Sequence, residues 1–275
     1  MLRAVFVGTK NEFNENLIHW LSQRVDLRGV VYPLSITWRR SFTGQFQFLR
    51  KRIKRYGIFK AVDEMIFFLI YRKYHSKNDY KALQEEIIFP YRRHNYSKWD
   101  GKSISTHNIN SDLTINFVKE CNPEIIFAMC VNDYFKKEIL EIPEFGVYLW
   151  HEGITPEYRG LYSPFWAVKN LDFTNIGYTL LKMNKKIDGG EIFLQGKFED
   201  FDISKHHHAY IGHKAIWSSL DAVDQFIIDL ENGIAKPIQR SMEKQGYYTY
   251  PGFTDYIQQR RNVNKFLRST LIERK

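Results

Sequence analysis

The sequence predicts an α/β protein: a mostly parallel, twisted sheet flanked by helices and interrupted by a helical insertion. Three observations predict it. The chain opens on Met1-Leu2-Arg3-Ala4-Val5-Phe6-Val7-Gly8, a mostly apolar run with little alternation, as a strand buried on both faces requires. An amphipathic stretch over residues 14–24 and a second apolar run over 25–32 follow, and strand–helix–strand at this length makes a right-handed βαβ unit. After residue 100 the same rhythm resumes, with apolar runs separated by amphipathic stretches.

The elements follow in order. Leu17, Ile18 and Leu21 share one face of the first helix. From 35 to 100 the texture becomes rich in Arg, Lys, Tyr and Phe, and 58–74 is strongly helical, with Val62, Met65, Ile66, Leu69 and Ile70. We read 35–100 as an insertion in the core. Residues 110–121 predict a helix, 125–131 a buried strand, 136–140 a short helix and 145–150 a further strand. Strands over 177–183 and 190–195 and a long helix over 217–230 complete the pattern. The expected division is one domain over 1–240 and a tail over 241–275 that lays Tyr247-Tyr248-Thr249-Tyr250-Pro251 back on it.

Composition narrows the classes. With 275 residues, 44% hydrophobic and 16% aromatic, the chain can fill a sizeable core, which excludes global disorder. No run of about 18 apolar residues occurs, so no spanning helix and no membrane partner is expected. The opening run is too short for a signal peptide, and two cysteines, Cys121 and Cys130, are too few for a disulfide framework, so a cytoplasmic location is expected. A formal charge of +9 favours anionic partners. It is concentrated at Arg39, Arg40, Arg50, Lys51, Arg52, Lys54 and Arg55, whose ordinary role is a solvated helix face.

Chemistry-bearing residues gather in two loops. His151 lies just past the strand over 145–150, where open α/β sheets collect ligands, and opens His151-Glu152-Gly153-Ile154-Thr155-Pro156-Glu157-Tyr158-Arg159-Gly160. The second loop is Ile187-Asp188-Gly189-Gly190-Glu191, whose paired glycines let backbone approach a ligand closely. A His and an Asp at one sheet edge can share a proton. On spacing alone a structural role for the pair is the more ordinary reading.

Those residues also carry a resemblance. His151…Pro156-Glu157-Tyr158-Arg159-Gly160…Pro164-Phe165-Trp166-Ala167, then Gly177-Tyr178-Thr179 and Ile187-Asp188-Gly189-Gly190, resemble the signature of the folate-dependent formyltransferases. Val5-Phe6-Val7-Gly8-Thr9, Asn122-Pro123-Glu124-Ile125-Ile126 and Lys236-Pro237-Ile238-Gln239 resemble further segments of that family; residues 35–100 do not. The resemblance implies a Rossmann-like formyltransferase fold and transfer of a formyl group from 10-formyltetrahydrofolate to an amine. It implies that His151 stabilises the oxyanion and that Asp188 holds the imidazole and assists proton removal. Arg159, Gly160, Gly189 and Gly190 order or line the loops. The transfer-RNA-directed members carry a further C-terminal barrel, for which too few residues follow Gln239, so the implied acceptor is a small molecule, anionic or nucleotide-linked.

One position departs from the family. An asparagine stands two residues before its histidine, and here that residue is Leu149, which cannot donate to an oxyanion. Three explanations stay open: Asn132 supplies the donor, the reaction has changed to another acyl transfer or a rearrangement, or the domain binds without catalysing. The last merges with a rival reading, a ligand- or nucleic-acid-binding module using the Arg39–Arg55 arm. A homodimer is compatible with either.

Other candidates are weaker. His206-His207-His208 with His213 has no HxxxH helix or cysteine to complete a metal set, so no metal is expected. Ser163 lacks a GxSxG elbow, Cys130 lies inside an apolar strand, and Glu152 is read as a loop charge.

Overall fold

The opening apolar run forms β1 (Arg3–Gly8), buried from Ala4 onward. In α1 (Glu12–Ser22) the Asn11 side chain accepts from the Asn14 amide at 2.8 Å, and Glu12 and Glu15 face the positive end of the helix dipole. Then β2 (Asp26–Pro33) pairs in parallel with β1, completing the expected βαβ unit. The computed structural model describes residues 1–34, 42–93, 96–129, 134–184, 190–240 and 245–273. The predicted positions Arg39, Arg40, Cys130, Val131, Asn132, Ile187, Asp188 and Gly189 lie outside them.

The insertion is helical: α2 (Phe42–Tyr56), α3 (Ile58–Tyr74), α4 (Ser76–Leu83), a π turn at Gln84–Ile88 and α5 (Phe89–Arg92). It is anchored to the α/β core by polar contacts as well as aromatics. The Tyr91 hydroxyl meets His19 Nδ1 at 2.7 Å, and Arg92 Nε donates to Asn16 Oδ1 at 2.8 Å. Within the insertion, Arg52 pairs with Glu64 through two hydrogen bonds of 2.7 and 2.5 Å; Glu64 retains 1% side-chain exposure. The predicted solvated face is therefore right for Arg50, Lys51, Lys54 and Arg55, which are exposed, and wrong for Arg52, because its guanidinium neutralises a buried carboxylate.

The sheet continues with β3 (Ser103–Thr106), α6 (Asp112–Cys121), β4 (Ile125–Met129), α7 (Lys137–Leu140) and β5 (Gly146–His151). Next come β6 (Arg159–Gly160), α8 (Ser163–Lys169), β7 (Gly177–Lys182) and β8 (Glu191–Lys197). The chain then forms α9 (His208–Ser218), α10 (Leu220–Glu231), β9 (Tyr247–Tyr248) and α11 (Phe253–Glu273). Strand order is β3-β2-β1-β4-β5-β7-β8, parallel as far as β5 and antiparallel at β5–β7 and β7–β8. This is the mostly parallel sheet the sequence predicts. Its order reverses at β1, which places a topological switch point between the carboxyl ends of β1 and β4.

Two apolar cores cover the sheet's faces. One holds Phe6, Leu17, Phe127 and Trp150 with α1, α9 and α10; the other holds Val5, Val7, Ile126, Ala128, Leu149 and Leu181 with α6 and α7. Three expectations change. His151 is the last residue of its strand instead of the first after it. The single helix over 217–230 is two, broken at Ser219, whose hydroxyl accepts from the buried Trp150 indole at 2.8 Å. The tail beyond residue 241 includes a 21-residue helix, α11, which packs on α8 and α3.

Candidate functional site

β5 delivers His151 to the carboxyl edge of the sheet, beside β4 and near the switch point, with 7% of its surface exposed. Its Nε2 lies 2.9 Å from the Tyr158 carbonyl. A carbonyl only accepts, so Nε2 carries the proton and Nδ1 is the ring's proton-accepting position. Ser163 Oγ sits 3.2 Å from the same Nε2 and donates to the same carbonyl at 2.9 Å. Both donors converge on one oxygen. The serine is therefore a support for the imidazole and not a nucleophile relayed by it, which agrees with the missing elbow motif.

The loop after His151 is held from beneath by Thr179, wholly buried on β7. Its hydroxyl donates to the Gly153 carbonyl at 2.6 Å and accepts from the Thr155 amide at 3.2 Å. Gln195 on β8 adds a bond of 2.7 Å to the Thr155 carbonyl. A Cβ on Gly153 would fall 2.5 Å from Ser163 Cβ and 2.8 Å from His151 Nε2, so only glycine lets the chain pass this close. The peptide between Thr155 and Pro156 is cis. Gln195 and Ser163 were not singled out as loop supports in the sequence; an amide and a hydroxyl within otherwise apolar segments were the available signal.

The outer side of the loop is gripped by the tail. β6 pairs with β9, and Gly160 takes φ +94° where a Cβ would meet the Tyr248 carbonyl at 2.1 Å. Tyr248 stacks on Tyr158 at 5.3 Å and on Trp166 at 5.1 Å, and the Trp166 indole donates to the Thr249 carbonyl. Arg159 is turned to this seam, with Nη2 3.3 Å from Gln245 Oε1.

Leu149 occupies an apolar row across three strands, opposite Ala128 on β4 and Leu181 on β7. By strand alternation it faces the same side of the sheet as His151. Leu149 and Ile192 each keep 9% exposure, so the side of the sheet beside the imidazole is hydrocarbon. Glu152 points to the opposite side, over α9. Its carboxylate lies where a Cβ on Gly212 would be, and burial pushes the carboxyl up to about 7. It is thus a desolvated group and not the loop charge read from sequence.

The loop that carries Asp188 leaves β7 after Lys182, beside Tyr148 on β5, and rejoins the sheet at Glu191. Gly190 is described: a Cβ there would fall 1.6 Å from the Lys182 carbonyl oxygen. Asp188, Gly189 and Asn132 lie outside the described residues. His206 closes a polar turn ahead of α9: its amide donates to the Asp202 carbonyl at 2.7 Å and its Nδ1 accepts from the Asp202 amide at 3.1 Å. His206 stacks on Tyr210 at 4.0 Å, His207 on His75 at 3.8 Å, and His208 packs 4.3 Å from Tyr71. Among the described residues no group of three His, Cys, Asp or Glu could hold a metal ion.

No family model matches the chain. It is 28% identical over 164 residues to the bifunctional polymyxin resistance protein ArnA of Wigglesworthia glossinidia brevipalpis, covering 59% of this chain and 25% of that protein. It is 37% identical over 82 residues to methionyl-tRNA formyltransferase of Caldicellulosiruptor saccharolyticus, 30% of this chain and 26% of the other. With that of Thermotoga neapolitana it shares 28% over 135 residues, 47% and 41%. The chain spans less than half the length of each of these relatives. Two solved structures share its fold. A sugar N-formyltransferase from Shewanella sp FDAARGOS_354 matches at TM-score 0.54 and 13% identity, covering 93% of this chain and 85% of that one. HypX from Aquifex aeolicus in complex with tetrahydrofolic acid matches at TM-score 0.53 and 14% identity, covering 90% and 29%.

Proposed function

We propose that the chain is a formyltransferase, a reading its partial sequence similarity and its fold support, and that it formylates the amine of a small molecule. The donor is 10-formyltetrahydrofolate and the acceptor an amino sugar carried on a nucleotide. The observation that supports this reading most is the seating of His151: a buried imidazole, fixed in one tautomer, at the carboxyl edge of the sheet next to the switch point. The hydrocarbon patch of Leu149, Leu181 and Ile192 beside it suits the flat ring of a pterin, and the net charge suits anionic substrates. The sugar N-formyltransferase whose fold spans most of both chains supports the acceptor class.

In this reading the amine nitrogen bonds to the formyl carbon, whose oxygen takes up negative charge. The carbon–nitrogen bond to the folate then breaks as the amine loses a proton, and that proton passes on to the folate nitrogen, which leaves as the neutral amine of tetrahydrofolate. The Tyr158 carbonyl occupies the proton on Nε2, so His151 donates to the oxyanion through Nδ1, as the imidazolium. Asp188 is the carboxylate that sustains that charge and receives the amine's proton, and Asn132 is the candidate donor in place of the amide that Leu149 lacks. Residues 1–240 form the catalytic domain, with 35–100 inserted and 241–275 closing on the loop.

The test is release of tetrahydrofolate from 10-formyltetrahydrofolate in the presence of amino sugar nucleotides. Turnover is expected, and His151→Ala and Asp188→Asn each lower it by about 10²–10⁴. Absence of tetrahydrofolate release with a panel of such amines overturns the reading.

A further inference from the structure

Among the described residues, neither the site nor the fold uses one surface of the insertion. On α3, Phe59, Val62, Ile66 and Leu69 recur at helical spacing along the side turned away from the core, with Ile58 beside them. Phe59 is 91% exposed, Ile58 56% and Leu69 47%. The opposite side of the helix supplies Ala61, Glu64, Phe67 and Tyr71 to the interior. From Phe59 to Leu69 the stripe runs about 15 Å at the helical rise.

Both ends of the stripe are cationic. Arg50, Lys51, Lys54 and Arg55 are exposed on the last turns of α2, and Arg72 and Lys73 are exposed at the end of α3. The carboxylates of these two helices are engaged elsewhere. Glu64 is buried against Arg52, and Asp63 accepts from the Thr254 amide and hydroxyl at 3.0 and 2.9 Å. A second copy of the chain seated here would set like charges against one another, with no acid on the stripe to offset them. Nucleic acid would satisfy the cations but offers no apolar phase to Ile58, Val62 and Leu69. An anionic bilayer supplies both, acyl chains for the stripe and headgroups for the lysines and arginines.

We infer that the α2–α3 hairpin lays this stripe on the surface of a membrane rich in anionic lipid, docking the protein there without crossing it. The absence of a spanning segment, from which no membrane partner was expected, says nothing of such a contact: among the described residues no helix is long and apolar enough to cross a bilayer. The active-site edge of the sheet is not part of this surface, so the inference stands whatever the acceptor.

The test is co-sedimentation of the full chain with vesicles of phosphatidylcholine alone or with about one third phosphatidylglycerol. The chain is expected to pellet at least about tenfold more with the anionic vesicles and to be released by salt. Phe59→Asp and Leu69→Asp each reduce the bound fraction about tenfold with Tm unchanged, because both side chains already face water in the free chain. Lys54→Glu with Arg55→Glu removes the preference for anionic lipid. Failure to pellet, or equal pelleting with neutral vesicles, overturns the inference. So does a dimer that Phe59→Asp disperses, or vesicle-independent binding of single-stranded RNA that Phe59→Asp leaves intact.

Discussion

Glu152 shows how one side chain couples the neighbourhood of His151 to pH. Its carboxyl resists ionisation in the folded chain, with burial raising it from 4.5 to about 7. The unfolded chain gives up that proton first as pH rises. The stability linked to Glu152 is therefore full below about pH 4.5 and falls away as pH climbs to about 7, by about 3 kcal/mol at most. Glu152→Gln removes the dependence. In thermal melts it is expected to raise Tm at pH 8 and change little at pH 4; a fall in Tm at pH 8 would show that the ionised carboxylate is instead stabilised. Leu149 poses a different question at the same scale. It is seated in a dry apolar row between Ala128 and Leu181, so its side chain is well accommodated by its neighbours.

Among the elements, the α2–α3 pair depends on one buried ion pair. Removing one partner strands the other charge, so Glu64→Ala is expected to cost about 3–5 kcal/mol in chemical denaturation, whereas replacing both Arg52 and Glu64 by apolar residues of similar size costs far less. Equal losses in the single and double variants would refute this. The same elements show what a sequence can disclose. β1, β4 and β5 are apolar on both faces and legible at once, and the amphipathic α3 is found to its bounds. β3 is not, because Ser103-Ile104-Ser105-Thr106 at the sheet's edge has no second face to bury. α11 escapes because much of its hold on the core is polar, beside the buried Val263: Lys169 pairs with Asp255, Gln259 donates to the Phe165 carbonyl and Asn262 to the Lys169 carbonyl. In the candidate site, His151 is marked by its place after an apolar run. Its supports on Thr179, Ser163 and Gln195 come from strands and a helix that only folding brings together.

Across the whole molecule, three segments remote in sequence meet where His75 stacks on His207. His75 also hydrogen-bonds the Tyr256 hydroxyl at 2.8 Å, and Asp79 accepts from the His207 amide at 2.9 Å. Burial, together with the nearby Arg260, holds both imidazoles down to about 4 from an ordinary 6.5, against the opposing pull of Asp79 on His75. As pH falls, the unfolded chain takes up these protons first, so stability is lost between about pH 6.5 and 4. The insertion, α9 and α11 are expected to part in that window before the sheet melts. Hydrogen exchange at pH 5 checks this: protection should fall first at the α3–α11 contact, and uniform loss with β1 and β4 would contradict it. The contact also has a temporal consequence. Asp63 waits for Thr254, and Gly160 for Tyr248, partners far along the chain. While the protein is being synthesised, the sheet can assemble with the His151 loop and the insertion both unfastened. Only when residues 246–263 leave the ribosome can one segment close over both, so the loop and the insertion are fastened together.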